Sequence, residues 1–311
     1  MIITPSNNCS LIGYNKEFLD FKKLYDNDNL PNKIIFSGIN GIGKSTFVYH
    51  LANYIFSKDE VDKYNLVENI ISDKNRSYNL VSKNLHPNFF LISNTDDKQS
   101  ISISKIREMI NWTNKSSFND GCKIILIDNI EFLNNNSINA LLKIIEEPNH
   151  KVFFFLIHNN KIKILDTIKS RCIKFNFFLE NKDKIKIINS LCGENFYSNL
   201  NSDFKNIYNS PGDIFNIQNV FKSNNINEDI SVDNFLKLII EKKIYKKDFF
   251  VKYNFSLFLE LYFNKLMNNY KYKNKLYFLY KYFLLKINDC NKYNLDLENI
   301  LIEFNGSVLS E

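Results

Sequence analysis

At 311 residues, with 44% hydrophobic side chains and a net charge of +6, the chain is long enough for two or three domains and basic enough to tolerate nucleic acid without requiring it. No apolar run approaches the roughly 18 residues of a membrane-spanning helix, and residues 1–5 lack the basic and apolar regions of a signal peptide. Cys9, Cys122, Cys172, Cys192 and Cys290 show neither disulfide nor zinc spacing, so reduced thiols, no zinc and a cytoplasmic location are expected.

In chain order, residues 33–36 read as a buried strand, and Gly38-Ile39-Asn40-Gly41-Ile42-Gly43-Lys44-Ser45 follows it. This matches the phosphate-loop pattern G-x-x-x-x-G-K-[ST]. Its glycines let backbone N–H groups converge on phosphate oxygens, and the next helix aims its positive end at them. Lys44 would reach the outer phosphates and the Ser45 hydroxyl would ligate Mg²⁺. The spacing predicts a helix over 46–56, with Phe47, Leu51, Tyr54 and Ile55 on one face. The expected nucleotide-binding set is Gly38, Asn40, Gly41, Gly43, Lys44, Ser45, Thr46 and Asp128, with ATP and Mg²⁺ as cofactors.

Residues 57–85 are polar and weakly periodic, and a strand over 89–92 follows His86-Pro87. A helix is expected over 102–113, a strand over 123–127, a helix opened by Asn134-Asn135-Asn136 and stopped by Pro148, and an intensely apolar strand over 152–157. A short segment ending in Ser170-Arg171-Cys172 leads into a last strand over 173–177. Strand and helix alternate throughout, as in a parallel sheet with crossover helices. Beyond residue 179 the pattern is helical: 182–191, 196–208, a helix begun by Ser210-Pro211-Gly212-Asp213, and an aromatic-rich block over 230–305. Tyr, Phe and Lys interleave over 262–285, a pattern of helical core or subunit contact more often than of nucleic-acid surface.

Asp128 at the end of its strand takes the position of the carboxylate that holds Mg²⁺ through water in P-loop folds. The next residue, where an ATPase carries a water-polarising glutamate, is Asn129, and Glu131 lies two further on. Only three of the 40 basic residues are arginines, Arg76, Arg107 and Arg171. In a chain that otherwise uses Lys, an Arg marks a place where the planar fork is needed, although Arg76 sits in a polar stretch with no evident role.

His86-Pro87-Asn88, Ser104-Lys105-Ile106-Arg107, the run from Asn139 to Pro148 (N-A-L-L-K-I-I-E-E-P), 167–172 (T-I-K-S-R-C) and Ser210-Pro211-Gly212 occur in this order. The chain thereby resembles the delta-prime family of bacterial DNA polymerase III clamp-loader subunits over about 10–220. The resemblance implies an α/β fold: a P-loop AAA+ parallel-sheet domain over 1–178, a small helical lid over 179–224 and an all-α collar over 225–311. It implies hetero-oligomeric partners (gamma/tau-like and delta-like subunits), a sliding clamp and primed DNA, with no membrane. It also implies that Arg171 is a finger acting on a neighbour's nucleotide, and that one of His158, Asn159 and Asn160 is the nucleotide-sensing polar residue. Asn129 and Asp213 depart from the ATPase pattern, so little or no hydrolysis is expected of this chain's own site. An active gamma/tau-like ATPase, a stand-alone P-loop kinase and a nucleotide-free scaffold share parts of the pattern. The kinase leaves S-R-C without a role.

Overall fold

The computed structural model describes residues 3–93, 100–147, 151–160, 163–205, 209–269, 273–293 and 295–309. The chain divides into two compact units, 1–187 and 188–311.

In the first unit the order is α1 (Asn15–Asp26), β1 (Lys33–Gly38), α2 (Lys44–Phe56), α3 (Arg76–Ser82), β2 (Phe89–Ile92), α4 (Ile103–Thr113), β3 (Lys123–Ile127), α5 (Asn135–Glu146), β4 (Val152–Asn159), α6 (Asp166–Lys169) and β5 (Ile173–Asn176). The strands form one parallel sheet in the order β2-β3-β4-β1-β5. Period-two alternation sorts their side chains between two cores. Ile34, Phe36, Ile124, Leu126, Phe155 and Ile157 pack against Phe18 and Phe21 of α1 and Phe47 and Leu51 of α2. Ile35, Ile125, Ile127, Phe154 and Leu156 pack against Ile106 and Met109 of α4 and Leu141 and Ile145 of α5. A sheet covered on both faces explains why residues 124–127 of β3 and 152–157 of β4 are apolar at successive positions rather than at alternate ones, whereas β5 at the sheet edge alternates and is largely exposed.

The sequence pattern predicts no helix at α1, and α3 lies inside the polar, weakly periodic stretch over 57–85. α1 is mostly Asn, Asp, Glu and Lys, and two buried rings at i and i+3, Phe18 and Phe21, carry its attachment. Asn75 caps α3 by accepting from the Tyr78 N–H, which places Arg76 at a helix start. Pro148, the expected stop of α5, lies outside the described residues.

Lys123 is buried at the head of β3, 4% exposed. Its ammonium donates to the carbonyls of Trp112 (2.9 Å), Thr113 (3.3 Å) and Lys115, and lies 4.7 Å from the Trp112 ring centre. One cation therefore satisfies the orphan carbonyls at the end of α4. Lys123→Met should cost about 2 kcal/mol in urea unfolding, because it strands buried acceptors. A loss within measurement error would show that water replaces the cap.

The second unit continues from α7 (Asn181–Cys192), whose first turns belong to the first unit, through α8 (Phe196–Asn199), α9 (Pro211–Ser223), α10 (Val232–Glu241), α11 (Ile244–Lys247), α12 (Phe249–Tyr253), α13 (Phe255–Asn269), α14 (Lys273–Tyr293) and α15 (Glu298–Phe304). One apolar cluster runs from Ile188 to Leu309, with Phe204, Phe221, Phe235 and Phe258 in successive edge-to-face contacts. The helices expected as lid and as collar thus share a core. The single helix expected over 196–208 is instead α8 and a short turn over Ser202–Phe204. Asn201 breaks it by accepting from the Asp203 N–H; Tyr208 lies outside the described residues. The interleaved aromatics divide: Tyr262, Phe263 and Phe283 are buried, whereas Tyr277, Phe278, Tyr282 and Leu285 stand exposed on α14.

Candidate nucleotide site and arginine edge

A parallel sheet brings the carboxyl ends of its strands to one edge, where ligands of such folds gather. Here that edge carries the loop after β1, Asp128 after β3 and Asn159 at the end of β4. The loop takes its shape from its glycines. Gly43 has φ +93° as it opens α2, a conformation costly for any residue with a Cβ. A Cβ on Gly38 would lie 2.8 Å from Ile42 Cδ1 and 2.9 Å from the Phe177 carbonyl. Tyr14, fully buried against Phe47 and Phe177, donates its hydroxyl to the Ile42 carbonyl at 2.8 Å and braces the loop from below.

The structure brings the expected residues together. Lys44 is buried, and its ammonium donates to Gly38 O (3.0 Å), Ile39 O (2.6 Å) and Asn159 Oδ1 (2.8 Å). Burial pushes Lys44 down to about 8, with the charges of Asp128 and Glu131 acting against it. Ser45 Oγ donates to Asp128 Oδ2 at 3.0 Å. Burial also raises Asp128, opposed by the Ser45 hydrogen bond and the Lys44 charge. Ile39 and Asn40 are exposed at the tip of the loop, and Thr46 is half-buried in the first turn of α2.

These residues fit a nucleotide's phosphate end. The loop backbone at Gly38 leaves no room for a side chain, the cation is held beside it, and a hydroxyl and a carboxylate stand adjacent as a Mg²⁺ pair. Among the described residues no three His, Cys, Asp or Glu side chains converge as a metal site. A Mg²⁺ here would accordingly take most of its ligands from phosphate and water, with Ser45 and Asp128 from the protein.

Of the three polar residues at and just after the end of β4, Asn159 is the one on Lys44. Its amide also donates to Asn129 Oδ1 at 2.5 Å, and its backbone N–H donates to Glu131 Oε1 at 3.3 Å. His158 and Asn160 contact Ser37 instead. Glu131 therefore does border the site, which its place two residues beyond Asn129 did not reveal. Asn129 adopts φ +65°, a left-handed conformation that Asn tolerates. Asp213, a departure from the ATPase pattern, has a local partner: its carboxylate accepts from the Ser210 N–H (3.0 Å) while Ser210 Oγ accepts from the Asp213 N–H, a capping box for α9.

Arg171 lies at the other edge of the sheet. Ile34 pairs with Ile173 and Ser37 with Asn176, so Arg171 sits beside the start of β1, roughly 20 Å along the strands from the loop that follows β1. Its side chain is 36% exposed and paired with Glu146 at 2.6 Å. Arg107 is exposed on α4.

A family model described as DNA polymerase III, delta subunit, matches residues 14–181. DNA polymerase III subunit delta' of Buchnera aphidicola subsp. Schizaphis graminum is 39% identical over 93 residues, 30% of this chain and 28% of that protein. The Escherichia coli (strain K12) subunit delta' is 24% identical over 156 residues, 49% of this chain and 45% of that protein. The matched segments thus span less than half of these relatives. The crystal structure of a DNA polymerase III, gamma subunit-related protein from Thermotoga maritima shares the fold, with a TM-score of 0.51 at 14% identity, over 91% of this chain and 96% of that one.

Proposed function

The chain belongs to the family described as DNA polymerase III, delta subunit, and from that premise we propose that it works as a delta-prime-like clamp-loader subunit in the cytoplasm. On this reading it binds ATP with Mg²⁺, hydrolyses it little or not at all, and lends Arg171 to the nucleotide of a neighbouring subunit. Its partners are gamma/tau-like and delta-like subunits, and with them a sliding clamp and primed DNA. The three-part division at 178 and 224 belongs to the same proposal. No helix among the described residues is long and apolar enough to cross a membrane.

The observation that carries the reading is the placement of phosphate loop and arginine at opposite edges of one sheet. An arginine that far from its own loop is useless to a nucleotide bound there, yet available to one bound by the next subunit in a ring. Bound ATP would supply an anhydride whose cleavage needs charge neutralised and water deprotonated. Lys44 and the loop N–H groups neutralise charge, and Ser45 and Asp128 hold the cation. Asn129 offers a carboxamide, which takes no proton from water at neutral pH. The exposed Tyr277, Phe278, Tyr282 and Leu285 on α14 give an apolar face suited to association with other helical subunits.

Nucleotide binding is tested by titrating a fluorescent ATP analogue into the isolated chain. Lys44→Ala should weaken binding tenfold or more, about the worth of a charge-assisted hydrogen bond. Equal affinities would leave the scaffold reading.

A further inference from the structure

We propose that Glu146 is a positioning residue for Arg171, holding its guanidinium in the plane and direction needed to meet a phosphate presented by another subunit; this rests on the finger reading above. A free arginine side chain is long and carries about 2 kcal/mol of rotamer entropy. Arg171 is not free. Its Nε–H donates to Glu146 Oε1 at 2.9 Å, and Nη2 reaches the same oxygen at 2.6 Å. From another side Nη1 donates to the Thr167 carbonyl at 2.9 Å and lies 3.4 Å from Ser170 Oγ. All three nitrogens are engaged, so both the plane and the direction of the fork are set.

The supports are themselves anchored. Glu146 is the last residue of α5, which Leu141 and Ile145, both fully buried, fix to the sheet. Thr167 lies in α6, seated by buried Ile168. The pair is half open to solvent, with side chains 36% and 50% exposed, and such a pair adds little to folding. Its effect is orientation, and prior orientation is what a group acting across an interface needs. The carboxylate also leaves the guanidinium part-exposed rather than covering it, so the fork meets an incoming anion without first leaving its support.

The test uses the reconstituted clamp loader with clamp and primed DNA, comparing wild type, E146A, E146Q and R171A. E146A should lower kcat about tenfold with KM for ATP unchanged, as expected for a misaimed group. E146Q, which keeps the acceptor oxygen, should recover most of the loss. A second measurement needs no turnover. With only three arginines in the chain, the Arg171 Nε–H resonance is assignable through R171A, and it should be protected from exchange in the isolated wild type and lose protection in E146A. If R171A is slow while E146A turns over at the wild-type rate or faster, Glu146 is a surface ion pair only and the proposal falls alone. If R171A itself is unimpaired, the finger reading falls and takes the positioning role with it.

Discussion

Arg171→Ala, assembled with ATP-hydrolysing partners, is expected to lower turnover by about 10³-fold, the usual worth of an arginine supplied in trans to phosphoryl transfer. The loss should fall on kcat, because an arginine that engages charge developing as the phosphoryl group departs contributes little to the ground state. Affinity of this chain's own loop for nucleotide should stay at the wild-type value, since Lys44, Ser45 and Asp128 are at the opposite edge of the sheet. Folding should be disturbed by no more than about 1 kcal/mol, because the ion pair removed, with Glu146, is exposed. Arg171→Lys should recover part of the rate: it restores charge without the planar fork. Steady-state kinetics of the complex, with a thermal melt of the isolated variant, separate these effects. Wild-type turnover in R171A would leave the Ser170-Arg171-Cys172 segment as a structural corner.

The parts of this fold legible in the sequence are those held by local rules. The strands of the sheet are short β-branched and aromatic runs, legible from their length and composition, and the helix pattern around Ile138, Leu141 and Ile145 is an amphipathic stripe, legible from its period. The phosphate loop was legible because its glycines answer to backbone geometry. α1 was not legible, because two buried phenylalanines outweigh a polar composition only once the sheet they cover exists. The same limit applies to the site. Lys44 and Asn159 are 115 positions apart, and Arg171 and Glu146 are 25 apart. Nothing in the chain declares such pairs until the strand order β2-β3-β4-β1-β5 sets one end beside another. Asp213 shows the opposite error. Its charge drew attention only as a departure from the ATPase pattern, while its position three residues after Ser210 already spelled a helix cap.

The first unit should also lose stability in mild acid, through His50. This residue is fully buried in α2, with Nε2 at 3.1 Å from the Asn8 carbonyl and Nδ1 at 2.9 Å from the Tyr64 hydroxyl. A carbonyl only accepts, so Nε2 carries the proton; the neutral ring then accepts from Tyr64, and both nitrogens are satisfied without charge. Desolvation holds the group down to about 4 from an ordinary 6.5, the Asn8 hydrogen bond offsetting part of the shift. Between those values the unfolded chain takes up a proton that the folded chain refuses. Stability is therefore complete above pH 6.5 and is lost as pH falls toward 4, by about 3 kcal/mol at most. His86, also held near 4 chiefly by burial, acts in the same direction, whereas Asp128, raised by burial, acts against it. The contribution of His50 is isolated by subtracting urea-unfolding free energies of His50→Gln from wild type across this range. At neutral pH the variant should be the weaker, having lost a ring that fits both partners. The gap should close as the medium is acidified, because only wild type has this proton to resist. A gap constant with pH would show that His50 takes up its proton as readily folded as unfolded, and burial would not be holding the ring neutral.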